Sequence, residues 1–341
     1  MRRLIAVMVL CVAAGCQGMR RGTVTTVDQE QGIVAVDVPA GTWRVVRPRP
    51  AGDGEAVAAV WAVAGPDRAG EIAFIAYSIP AERHALKMVK RDGSGERTVF
   101  ERAGDPLWKQ AAGQSLALSR DGRRVALVGQ MHGVQMEGAL LQEGPLEIWD
   151  VERGTQVSKG RVVEQVLDQG LAWFANGRRV ACVVMMDVGA APAAKSGEEG
   201  FGGLWKSWER VPVVCVMEVE TGKLLPLGVG VRPVIAAGEE SVVYSDLPDT
   251  GEVHCRKVSL GRAAGLPVAV AGRRWVAYGE SGDGYYLDVP AAGEPAGLTR
   301  YFSPLRGPRP LLVLRQASGE SGAALIGGFD ERSPVSFSWK R

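Results

Sequence analysis

The 341-residue chain is 46% hydrophobic, 23% charged and 6% aromatic, which excludes a disordered, collagen-like or heptad-repeat polymer and fits one large or two ordinary folded domains. Its 40 basic residues balance 38 acidic ones, and without Arg2 and Arg3 the count is 38 to 38. Phosphate recognition needs a surplus or a stripe of Lys and Arg, so nucleic acid is not an expected partner.

At the N-terminus a short basic start, Met1-Arg2-Arg3, precedes an apolar run over 4–14 and the small residues Ala13-Ala14-Gly15 before Cys16. This is the order of a secretory leader, and 11 apolar residues fall well short of the roughly 20 that a membrane-crossing helix requires. Ala13-Ala-Gly-Cys16 resembles the bacterial lipoprotein box, with Ala where that family prefers Leu. The resemblance implies cleavage before Cys16, a diacylglyceryl thioether on its sulfur and anchoring to a membrane by lipid. Gln17 in place of Asp implies, by the same resemblance, no retention at the inner membrane, so the outer membrane is the favoured location. The expected organisation is a signal over 1–15, a tether over 16–28 and one folded body over 29–341. Arg20 and Arg21 in the tether suit either anionic headgroups or plain solvent.

Beyond the leader and Cys16, the cysteines are Cys182, Cys215 and Cys255, an odd number without C-x-x-C spacing. Cys182 and Cys215 lie in two apolar candidate strands of one unit. They read either as buried hydrophobes or as a cross-strand disulfide.

A recurring unit organises the body: an apolar strand, a Gly-containing hairpin, a second apolar strand, a connection, and a strand ending in another hairpin. The best copy covers 116–128 and 146–155, with Asp121-Gly122 at its turn; the second covers 171–183 and 214–223, with Asn176-Gly177. Gly at these positions supplies the positive φ of a tight strand connection. Fainter copies begin near Gly70, Gly238 and Gly272, so the hairpin glycines recur at similar intervals except for a shorter last step, from Gly238 to Gly272. Units of about 50 residues with about four short strands each specify an all-β protein, a β-propeller, because one such sheet cannot bury both faces alone. Counting further units near 32–37 and 311–339 gives about seven four-stranded blades, with six or eight as the neighbouring counts.

Ser119-Arg-Asp-Gly-Arg-Arg-Val-Ala126 resembles the strand-turn-strand of TolB-type propellers, with Arg120 where that family has Pro. Ile148-Trp-Asp-Val-Glu-Arg-Gly154 resembles the outer strand of WD repeats, and Glu218-Val-Glu-Thr-Gly-Lys223 matches the end of that pattern without its Trp-Asp. The resemblance spans about residues 60–300 and implies a fold, because propellers host unrelated activities.

Catalytic chemistry finds little support. His84, His132 and His254 lack metal-ligand spacing, no H-E-x-x-H or phosphate-binding loop occurs, and the Gly-Glu-Ser-Gly runs at 279–282 and 319–322 lack the last Gly of a nucleophile elbow. Asp121, Asp150, Asp187, Asp246, Asp283 and Asp288 recur near turns, where they read as turn residues or, in a central channel, as cation ligands. No cofactor or metal is expected. The unusual segment is the insertion over 187–210, where a small, flexible run leads to Phe201, Leu204, Trp205 and Trp208 at i, i+3, i+4 and i+7. These four are the candidate partner-binding residues, since Trp concentrates binding energy. Folding back over the propeller rim and dipping into a bilayer are the other uses of such a set. The expected function is an envelope-anchored, non-catalytic module that binds a protein partner. The alternative is a channel-centred hydrolase or small-ligand receptor with a bound cation.

Overall fold

A computed structural model describes the strands and most tight turns between Gly22 and Trp339. Outside the described residues lie 1–21, 49–57, 104–115, 192–208, 246–254 and 289–300, a number of shorter connections, and 340–341. The described chain is all-β, with one 3-10 turn at Val188–Ala190.

Among the described residues six antiparallel sheets follow one another along the chain, five of four strands and one of seven, beside a two-stranded hairpin. Gly22–Asp28, Gly32–Val38 and Thr42–Pro48 form sheet one, completed by Val335–Trp339 from the far end of the chain. Sheet two is Ala58–Ala64, Glu71–Ser78, Arg83–Lys90 and Arg97–Ala103. Sheet three is Leu116–Leu118, Arg124–Val128, Leu146–Asp150 and Thr155–Gln156. Ala172–Trp173, Arg179–Asp187, Arg210–Glu218 and Leu224–Val229 build sheet four. Val231–Ile235, Ser241–Ser245, Cys255–Ser259 and Val268–Val270 build sheet five, and Arg274–Tyr278, Gly284–Asp288, Leu312–Gln316 and Ala324–Ile326 build sheet six. The first strands of consecutive sheets neighbour each other around a closed cycle, sheet six returning to sheet one. This is a propeller.

Second strands are buried on both faces because sheets stack against each other. Ser241–Ser245 is buried throughout and Arg179–Asp187 over its middle six residues, so these strands read as continuous apolar runs. The largest core cluster crosses sheets two, three and four, with Leu86, Ile148, Val180, Cys182 and Cys215 fully enclosed. Turns agree with the hairpin reading. Gly122 at φ 73° and Gly177 at φ 64° donate to Ser119 O and Phe174 O at 2.9 and 3.0 Å, a backbone region that a Cβ disfavours.

The sheets described give the lower neighbouring count, not about seven four-stranded blades, for a physical reason. The segments near 32–37 and 311–339 are not two blades of their own, because Val335–Trp339 pairs with Gly22–Asp28 while Leu312–Gln316 pairs with Gly284–Asp288. The short last step arises because Gly272 precedes a first strand, whereas Gly70, Gly122, Gly177 and Gly238 precede second strands. Gly22–Asp28, which the sequence reading placed in the tether, is a full strand of sheet one. Leu146–Asp150, with its Trp-Asp pair, is a third strand, not the outermost.

Up-and-down order within each sheet places first-to-second and third-to-fourth turns on one face of the ring. These connections are short, from 39–41 at the low end to 260–267 at the high end. On the other face lie the second-to-third connections and the passages between sheets, among them the long segments 129–145, 188–209 and 289–311. Gly22 lies beside Trp339 and starts a second strand, so it belongs to the face of short connections.

Candidate interaction face

The long-connection face is shaped by sheet four. Its strands Arg179–Asp187 and Arg210–Glu218 run nine residues, and their ends rise beyond the shorter first strand Ala172–Trp173. There Val166–Leu167 pairs with Val184, and the hairpin His132–Met136 and Ala139–Gly144, inserted from sheet three, adds on next to it. The sheet therefore continues inward from the first-strand position, toward the ring axis, with His132–Met136 as its edge.

Both ends of the 188–209 insertion are pinned at this rim. Val188 N–H donates to Glu209 O at 3.0 Å, and Ala191 N–H reaches Asp187 O and Val188 O at 3.2 and 3.3 Å while its methyl enters the main core. Arg210, directly after the insertion, donates to Glu143 at 3.3 and 3.5 Å and to Met185 O at 3.4 Å. Glu143 belongs to the inserted hairpin and its carboxylate is buried, so this ion pair ties the base of one insertion to the other.

A second buried carboxylate stands near the same face, between sheets two and three. Arg102 grips Glu147 with two hydrogen bonds of 2.9 Å, and Trp149 Nε1 donates to the same carboxylate at 2.8 Å. The guanidinium lies 4.9 Å from the Phe100 ring centroid and 5.0 Å from that of Trp149, and the two rings are 4.2 Å apart. Charge, cation-π contact and stacking thus meet where two blades join. Gly129 is small because a Cβ there would lie 2.3 Å from Glu147 Oε1. Neither Arg–Glu pair was visible in the sequence, since the partners are 45 and 67 residues apart.

The candidate partner residues Phe201, Leu204, Trp205 and Trp208, and the candidate lipidation residue Cys16, lie outside the described residues. What the structure places is the root of the insertion, on the long-connection face. Of the recurring acids, Asp121 accepts from Ser119 Oγ at 2.7 Å and Arg123 N–H at 3.1 Å, and Asp150 accepts from the backbone of Glu152 and Arg153 at 3.1 and 2.9 Å. Both are turn residues. Burial raises the Asp121 pKa, but its Ser119 and Arg123 hydrogen bonds and the Arg123 charge outweigh that and hold it below the usual 3.8. Asp187 is exposed at the end of its strand, and Asp246 and Asp283 lie outside the described residues. Among the described residues no three His, Cys, Asp or Glu side chains gather as a metal site.

Cys182, Cys215 and Cys255 are buried thiols, and Cys255 Sγ lies 3.7 Å from Ser245 Oγ. Cys182 and Cys215 face each other in register. Two hydrogen bonds of this ladder, Val188 N–H to Glu209 O and Val219 N–H to Arg178 O, fall an even number of residues away, so the cysteines form a hydrogen-bonded pair. Such pairs hold their Cβ atoms toward the wide end of about 4.5–5.5 Å, whereas a disulfide needs about 3.5–4.5 Å. Burial pushes the Cys182 thiol up to about 12, and burial followed by the field of Cys182 raises that of Cys215. The pair is packing, not redox chemistry.

No family model and no curated protein matches the sequence. Solved structures do. TolB from Acinetobacter baumannii superposes with a TM-score of 0.55 at 9% identity, over 94% of this chain and 66% of the other, just under two thirds of its length. A chain of a nidogen/laminin complex covers 93% of this chain and 98% of its own length, with a TM-score of 0.49 at 9% identity. At such identities the likeness concerns the fold alone, and the TolB superposition agrees with the ring of sheets: the chain is a β-propeller.

Proposed function

We propose that the chain is an exported, non-catalytic binding module, anchored through lipid on Cys16 to a bacterial membrane, with the outer membrane favoured over the inner. Its ligand is a protein partner of the envelope. The observation that supports this most is the gathering of the connections 129–145, 188–209 and 289–311 on one face of a closed ring, with the 188–209 root pinned by Val188, Ala191 and Arg210. A rigid scaffold that concentrates its long loops on one side presents a binding surface. Phe201, Leu204, Trp205 and Trp208 are the proposed contact residues, as apolar anchors that follow a run of small and polar residues.

The test is a crosslinking pull-down from the native envelope with wild type and the double variant Trp205→Ala, Trp208→Ala, both checked for fold by circular dichroism. A stoichiometric protein captured by wild type and lost from the folded double variant is the expected result. Equal capture by both places the contact elsewhere, and no capture by either removes the protein-partner reading.

A further inference from the structure

We infer that the short-connection face is the surface this protein lays toward the membrane, its partner there being the bilayer that holds the acyl chains of Cys16. The inference rests on the proposed lipidation. Only six residue steps separate Cys16 from Gly22, the first residue of the sheet. Fully extended, six steps reach about 20 Å. Gly22 opens on the short-connection face, beside Trp339 and Val38.

Depth decides the orientation. The six steps of Gly22–Asp28 span about 20 Å from one face to the other at about 3.3 Å each. The eight steps of Arg179–Asp187 lift the root of the 188–209 insertion to about 26 Å. A tether of about 20 Å cannot pass around a body of that depth, so the long connections cannot be turned onto the bilayer that holds the lipid. The short face suits the role because its turns are held stiffly. Arg124 donates to Gly177 O at 3.3 Å, Ala175 N–H donates to Glu239 at 2.8 Å, and Arg91 pairs with Asp37, each joining neighbouring sheets. The inserted hairpin and the proposed aromatic contact then face away from the lipid, where a partner reaches them without displacing the membrane.

The experiment uses the mature full chain in vesicles carrying a headgroup-labelled lipid quencher. A fluorophore is attached through Asn176→Cys or Glu220→Cys on the short face, or through Ala190→Cys at the root of the insertion, all three exposed. The native thiols Cys182, Cys215 and Cys255 are buried and stay unlabelled in the folded protein. Intact mass of the same sample reads acylation separately. Quenching several-fold stronger at 176 and 220 than at 190 is expected. Equal or stronger quenching at 190 in an acylated sample overturns the orientation and leaves the anchor standing. A mature protein without acyl mass that fails to float with vesicles overturns the anchor and the orientation together.

Discussion

At the scale of single residues, buried charge pairs hold the long-connection face together, Glu147 across the boundary of sheets two and three and Glu143 within the extended sheet four. Glu147 has a side chain 6% exposed and takes hydrogen bonds from Arg102 and Trp149, so removing Arg102 strands a carboxylate in the interior. Arg102→Ala is expected to cost about 3 kcal/mol in denaturant unfolding, the lower part of the range for a broken buried pair because the guanidinium keeps some solvent. Asp121 adds a dependence on pH. Its pKa is depressed in the folded protein, so its contribution is present above the usual 3.8 and is lost as pH falls through the lower folded value. Asp121→Ala is therefore expected to be less stable than wild type at neutral pH, with the gap closing below about pH 4 in urea titrations. The thiols give a third check. In a chain starting at residue 17, a water-soluble thiol reagent is expected to find none of Cys182, Cys215 and Cys255 when folded and all three in denaturant without reductant. Two missing thiols after denaturation would show a disulfide.

The turn glycines were legible at this scale because positive φ is a local demand that Gly122 and Gly177 meet with a local signature. Glu147 and Glu143 were not. Each sits in an ordinary strand among apolar residues, and its neutralising arginine comes from a distant part of the chain.

Among the elements, paired second and third strands announced themselves as apolar runs around a hairpin. First and last strands did not: Ala172–Trp173 and Thr155–Gln156 have two residues each, too few for any periodicity to show. The copy near Gly272 misleads for the opposite reason: its first strand, Arg274–Tyr278, has five residues behind a glycine, as second strands elsewhere do, and the strands of 311–339 then count as a further unit although they complete sheets six and one. The inserted hairpin was equally hidden, since its place in sheet four depends on Val166–Leu167, another two-residue strand. Arg210 is the fastening between hairpin and insertion. Arg210→Ala is expected to speed protease cleavage within 129–145 and 188–209 several-fold, with the urea midpoint moved much less. A parallel loss of global stability would make the pair a core element instead of a local tie.

For the whole molecule, the division of labour between faces follows from loop lengths alone once the strand order is known. Connections no longer than 260–267 lie on one side and ones as long as 289–311 on the other, and the proposed reading assigns the first side to anchoring and the second to recognition. The ring itself was legible as a propeller from repeats; its closure was not, because Gly22-Thr-Val-Thr-Thr-Val-Asp28 is short and polar enough to pass for a tether. Five register pairs, from Gly22↔Trp339 to Thr26↔Val335, lock the ring. A chain stopped after residue 334 is expected to lose its sharp thermal transition and to aggregate, measured by calorimetry and light scattering, because sheet one is left with an exposed edge.

That closing strand also sets a clock. The residues it joins lie at opposite ends of the chain, and at about 5–20 residues per second the ribosome needs roughly 15–60 s between making Gly22–Asp28 and making Val335–Trp339. Throughout that interval the oldest strands of the nascent protein wait with an unsatisfied ladder, and later blades can stack but not complete the circle. The vulnerable species in the life of this protein is thus a nearly finished ring with one open edge, and a chaperone that guards it has to cover Gly22–Asp28 from the start.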